Sequence, residues 1–164
     1  MTVSIITGAE KQQIIIPEGL KPGDTVGLIA PANYTGSSAD AEVEYLINKG
    51  FNVVYGKSFD ARWYGFGGTD EIRAKDINDM FADKNIKAIF AIRGGYGTIR
   101  LVDKLNYDTI KKNPKIFSGY SDITTLLIAI NEKTGLVTYH GPMSSNFKDI
   151  PPVTEASFNR TFIN

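Results

Sequence analysis

Short apolar runs recur along this chain, each stopping at a small or polar turn, and that rhythm limits the fold more than any other feature. Thr25-Val26-Gly27-Leu28-Ile29-Ala30, Ala88-Ile89-Phe90-Ala91-Ile92 and the briefer Ile116-Phe117 carry no polar alternation. Runs of this kind suit strands covered on both faces, the environment of a parallel sheet. Between them, apolar residues fall at helical spacing. Val43, Leu46 and Ile47 mark one helix face, with Ser37 or Ser38 as its cap and Gly50 as its stop. Ala74, Ile77, Met80 and Phe81 mark another, capped by Thr69 and opening on Asp70 and Glu71, where the helix dipole favours negative charge. Asn52-Val53-Val54-Tyr55 and Leu136-Val137-Thr138-Tyr139 read as further strands, 98–102 as the start of a short helix, and 107–112 as a helix ending near Pro114. The alternation predicts an α/β fold: an open, mostly parallel sheet of at least four strands with helices on both faces.

The patterned body runs over 14–145. Residues 1–13 read as an N-terminal extension. Residues 146–164, with Pro151-Pro152 and only a faint helical pattern over 154–162, read as a linker or domain edge. Eighteen basic residues balance eighteen acidic ones, so no net positive field argues for nucleic acid and no basic run for a membrane surface. The absence of cysteine excludes disulfides and thiolate chemistry, and a single histidine, His140, excludes a histidine-rich metal site within this chain. Neither a metal nor a cofactor is expected. The first residues lack a signal-peptide pattern and no stretch approaches a membrane span, so the expectation is a cytoplasmic protein acting on small molecules. A homodimer is left open.

Chemistry is concentrated at two strand ends. In Ile116-Phe117-Ser118-Gly119-Tyr120-Ser121-Asp122-Ile123-Thr124 an apolar run turns sharply at Ser121 and enters a helical pattern carried by Ile123, Leu126, Leu127 and Ile130. A serine at a helix N-terminus either caps the helix or acts as a nucleophile, and both readings fit the residues. As a nucleophile it would find the N–H of Asp122 facing a developing oxyanion. Arg93-Gly94-Gly95-Tyr96-Gly97 closes another strand, where open α/β sheets bind ligands, and Gly94 or Gly95 offers a second N–H donor. The G-x-G-x-x-G spacing is absent, which weakens a dinucleotide reading, although a phosphate- or nucleotide-binding module without catalysis stays open. Arg93 suits a substrate carboxylate or a structural ion pair equally. Ala61-Arg62-Trp63-Tyr64-Gly65-Phe66-Gly67-Gly68-Thr69 is either a substrate-lining loop or an aromatic-anchored surface loop. His140 is the one imidazole able to serve as base, but nothing in the sequence fixes its tautomer. The serine turn also departs from G-x-S-x-G, since Ile123 holds the second glycine position.

Five ordered motifs resemble the LD-carboxypeptidase family, the murein tetrapeptide carboxypeptidases and the microcin C immunity peptidases. They are the stretch from Leu20-Lys21-Pro22-Gly23-Asp24 to Pro31-Ala32, Thr69-Asp70-Glu71-Ile72-Arg73-Ala74-Lys75-Asp76, Arg93-Gly94-Gly95-Tyr96-Gly97, Gly119-Tyr120-Ser121-Asp122-Ile123-Thr124 and His140-Gly141-Pro142-Met143. The resemblance implies a flavodoxin-like domain of a serine peptidase that releases the terminal D-alanine of a murein tetrapeptide. It implies Ser121 as nucleophile and the backbone of Asp122 and of Gly94 or Gly95 as oxyanion donors; Arg93 and Tyr96 are the expected substrate contacts. The family's glutamate and histidine belong to a second domain later in the chain, so neither role passes to His140. A chain of this length is then expected to be an N-terminal domain, inactive by itself. The alternative within the family is cleavage of an acyl-amide-linked aminoacyl nucleotide.

Overall fold

The computed structural model describes residues 13–36 and 40–163. Apart from Gln13, the 1–13 extension lies outside them, as does the cap expected at Ser37 or Ser38. Five strands, β1 (Thr25–Ile29), β2 (Asn52–Tyr55), β3 (Ile86–Ala91), β4 (Ile116–Gly119) and β5 (Tyr139–His140), form one sheet in the order β2-β1-β3-β4-β5. Every pairing is parallel, with Val26 beside both Val53 and Ala88, Phe90 beside Ser118, and Gly119 beside His140. This is the flavodoxin-like order, which places all carboxyl strand ends on one edge.

Alternation along the strands builds two cores. Ile29, Ile89, Ala91 and Phe117 face α2 (Asp70–Ala82), α3 (Tyr107–Lys112) and α4 (Thr124–Thr134), meeting Ala74, Ile77, Phe81, Ile110, Leu126 and Ile130. Val26, Leu28, Ala88, Phe90 and Ile116 face the other way, toward Leu46 of α1 (Asp40–Asn48) and Phe158 and Phe162 of α5 (Pro152–Phe162). The Phe90 ring lies 5.6 Å from those of Phe147 and Phe162 and 5.9 Å from that of Phe158. Burying a side chain of this size contributes on the order of 2 kcal/mol. Thr69 caps α2 as expected, its hydroxyl accepting from the Ile72 N–H at 3.4 Å.

Three expectations change. Ile47 is 55% exposed, so Leu46 and the half-buried Val43 carry the inner face of α1. The strand expected from Leu136 begins only at Tyr139. Before it, Thr134 Oγ1 accepts from the Leu136 N–H at 3.0 Å and Thr138 Oγ1 donates to the Leu127 carbonyl at 3.1 Å, holding 136–138 against α4 instead of β4. Leu136 pairs instead with Ile15 in an isolated parallel bridge. The stretch 146–164, expected as a linker or domain edge, carries α5 within its described part, 146–163, and that part is packed into the body, with Leu20 bridging in parallel to Ile163.

At the amino edge of the sheet, Lys115 is buried and its Nζ donates to the carbonyls of Asp83 and Ile86. Burial pushes its pKa down to about 8. No helix among the described residues is long and apolar enough to cross a membrane.

Candidate active site

β3 and β4 are neighbours, so the loops that follow them open side by side at the carboxyl edge. After Gly119 the chain turns at Ser121, whose φ of 60° lies in the left-handed region that a serine rarely adopts. A Cβ on Gly119 would stand 2.7 Å from Ile123 Cγ2, so only glycine lets the following helical turn fold back this tightly. The capping alternative for Ser121 falls away: the cap positions of the 3₁₀ turn Ser121–Ile123 and of α4 are Tyr120 and Ile123. Ser121 is exposed instead, beyond the buried Ser118 of β4.

The glycine loop meets this serine directly. A Cβ on Gly94 would lie 3.0 Å from Ser121 Cβ and 3.3 Å from its Oγ, so Gly94 packs against the hydroxyl. Gly95 is turned toward Asn33, and Asn33 Oδ1 accepts from the Tyr96 N–H at 3.1 Å. Asp122 ties the two loops together from the other side. Its carboxylate accepts from the Thr98 N–H and its backbone carbonyl accepts from Thr98 Oγ1.

Arg93 is exposed and forms no ion pair among the described residues, so the structural-pair alternative is not realised there. Tyr96 is also exposed, with its ring 6.3 Å from Phe66 of the aromatic loop. That loop is anchored by the bridges of Phe66 to Asn33 and Trp63, and it leaves Tyr64 in the open at a φ of 54°. It therefore lines the same edge as the glycine loop. His140 is exposed at the end of β5, its ring 6.3 Å from that of Tyr120, and no hydrogen bond joins it to Ser121 among the described residues. A groove of about 320 Å³ runs past Tyr120, His140, Pro142 and Ile150 beside the serine turn. No metal-holding group of acids and histidine occurs among the described residues.

Two further residues, absent from the sequence-based site, build it from beneath. Arg73 is fully buried, its Nη1 donating to the carbonyls of Pro31 at 2.7 Å and Gly97 at 3.3 Å and its Nη2 to Asp70. Burial pulls its pKa below the usual arginine value, and Asp70 opposes the pull. Asp76 caps the 3₁₀ turn Lys57–Phe59, accepting from the N–H groups of Lys57 at 2.9 Å and Ser58 at 2.6 Å. Both lie on the inner side of α2 beside Ala74 and Ile77, and that helical register was the available signal.

The fold and its carboxyl edge define an open parallel α/β protein whose serine, glycine and aromatic loops converge where such sheets bind ligands. Within that class the chain belongs to the LD-carboxypeptidase family, with residues 26–141 matching its N-terminal domain. It is 41% identical over 150 residues to the probable murein peptide carboxypeptidase of Bacillus subtilis, a match covering 89% of this chain and 47% of that protein. It is 38% identical over 144 residues to the microcin C7 self-immunity protein MccF of Escherichia coli, covering 85% of this chain and 42% of that one. Among solved structures, muramoyltetrapeptide carboxypeptidase from Oxalobacter formigenes superposes with a TM-score of 0.76 at 32% identity, over 84% of this chain and 47% of that one. The chain thus spans a little under half the length of these relatives. The family is one of peptidases whose named members include murein peptide carboxypeptidases and MccF.

Proposed function

We propose that this domain carries the nucleophile of a serine LD-carboxypeptidase, that its substrate is a murein tetrapeptide, and that its product is free D-alanine. The observation that carries the reading is the left-handed Ser121 with Gly94 packed against its hydroxyl. A strained, exposed serine between a strand and a helix presents Oγ to a bound carbonyl, as in hydrolase elbows. Ser121 Oγ attacks the carbonyl carbon between the L-residue and the terminal D-residue. The negative charge passes to the carbonyl oxygen, which the N–H of Asp122 and a glycine N–H of 94–95 stabilise. Collapse breaks the C–N bond, the serine proton passes through a base to the leaving amine, and water then hydrolyses the acyl ester. Arg93 takes the substrate carboxylate as a bidentate partner, with Tyr96 beside it.

The base comes from a glutamate–histidine pair in a second domain, not from His140, and turnover depends on that domain. The length of the relatives and the lack of a His140–Ser121 hydrogen bond support this. The likeness to MccF supports a second reading, cleavage of an aminoacyl nucleotide by the same serine. A solved MccF complex with aspartyl sulfamoyl adenosine superposes on this chain with a TM-score of 0.82 at 32% identity. Release of D-alanine from a murein tetrapeptide by the full-length gene product, and its loss in Ser121→Ala, tests the first reading. Turnover of an aminoacyl sulfamoyl adenosine with none of the tetrapeptide selects the second. Nucleotide binding with neither activity returns the chain to a binding module.

A further inference from the structure

Arg73 is a charge buried where a charge is expensive. Its side chain has no exposure, and its Nε finds no acceptor among the described residues. An apolar side chain of similar volume is often as stable as a buried ion pair, so stability alone is a weak reason for a guanidinium here. Its contacts supply another reason. Nη1 bridges the carbonyl of Pro31, in the loop after β1, and that of Gly97, at the end of the loop after β3. Cζ of the same guanidinium lies over the Phe66 ring of the aromatic loop, 4.8 Å from its centre. Asp70 orients the fork by accepting from Nη2, and it is itself held by Arg100 Nη2 at 2.8 Å. Three segments that line the carboxyl edge thus converge on one planar cation.

We infer that Arg73 is a positioning residue: it locks the loops at 31–34, 61–69 and 93–98 into one arrangement and so sets the glycine loop against Ser121. The link to turnover rests on the proposed role of Ser121, but the link to loop order does not. Lysine cannot replace it, because a compact ammonium has no fork that spans two carbonyls and a carboxylate.

The test compares wild type with Arg73→Met and Arg73→Lys by amide hydrogen exchange and by acrylamide quenching of Trp63, the single tryptophan. Trp63 stacks on Phe66 at 6.3 Å and reports on the aromatic loop. In both variants exchange over 93–98 is expected to quicken by about tenfold or more, the effect of losing one hydrogen bond from a local opening equilibrium. Quenching of Trp63 rises with it, while exchange in β4 and α4 stays at the wild-type rate. Wild-type behaviour of Arg73→Lys overturns the proposal, because a buried charge alone would then suffice. Uniform loosening of β4 and α4, or loss of cooperative unfolding in both variants, overturns it too, since Arg73 would belong to the fold and not to the loops. In the full-length enzyme kcat falls with KM little changed. Loosened loops in a protein whose wild type releases no D-alanine would leave Arg73 in its role and refute the functional reading instead.

Discussion

Asp122 and Thr98 hold each other twice: the Asp122 carboxylate accepts from the Thr98 N–H at 3.0 Å, and the Asp122 carbonyl accepts from Thr98 Oγ1 at 2.6 Å. The pair joins the residue after the proposed nucleophile to the first residue of the 3₁₀ turn Thr98–Lys104. Thr98 is fully buried, so its hydroxyl has no water to fall back on. Thr98→Val is expected to cost about 1 kcal/mol, as for a lost buried hydrogen bond whose acceptor keeps a second donor, the Thr124 N–H. Asp122→Asn keeps an acceptor for the Thr98 N–H and is expected to cost less than Asp122→Ala. Urea unfolding of the three variants checks the order.

Ser121 stores backbone strain at its φ of 60°. Ser121→Gly relieves it and is expected to raise stability by about 1 kcal/mol, whereas Ser121→Ala, which keeps a Cβ in the left-handed region, leaves stability near wild type. Both remove the proposed nucleophile. Denaturation midpoints and D-alanine release, measured on the same preparations, separate the gain in stability from the loss of turnover.

Gly94 and Gly95 are expected to respond differently to the same methyl group. In Gly94→Ala the new Cβ presses on Ser121 Cβ and Oγ at 3.0 and 3.3 Å, so turnover falls by about tenfold or more while stability changes by less than about 1 kcal/mol. In Gly95→Ala the Cβ meets Asn33 Cγ at 2.3 Å on a backbone with a φ of +142°. The expected cost is about 1–3 kcal/mol of stability. Paired unfolding and activity measurements distinguish the two positions.

Lys115 makes stability depend on pH in alkali. Its folded pKa, lowered to about 8 from the ordinary 10.5, means that between those values the unfolded chain binds the proton that the folded one has lost. Stability therefore rises with pH across that window, from a penalty fully present below about pH 8. Lys115→Met removes this slope, and the difference between the two stability–pH curves isolates it from tyrosine ionisation.

What the sequence disclosed depended on how local its cause was. β1, β3 and α2 were legible because an unbroken apolar run and a capped amphipathic face specify themselves. β5 was not, because the hydroxyls of Thr134 and Thr138 decide where 136–138 lies, and a threonine does not announce its partner. Pro151-Pro152 suggested a linker, yet Pro152 occupies the first turn of α5, where a missing N–H is harmless, and the i, i+4 pair Phe158 and Phe162 anchors that helix. At the site, the motifs placed Ser121 and the glycine loop on neighbouring strand ends, but cap and elbow differ only in a dihedral angle. Arg73 carries no such local signal, because a charged residue near a helix start is ordinarily solvated.

The parallel bridge between Leu20 and Ile163, with the Leu20 N–H donating to the Phe162 carbonyl at 2.6 Å, joins the segment before β1 to the end of α5. During synthesis on the ribosome, the face of the sheet that holds Val26, Leu28 and Phe90 therefore has α1 against it but stays incompletely covered until α5 emerges. The serine-bearing face closes earlier, around helices already made, so the nascent domain matures one side at a time.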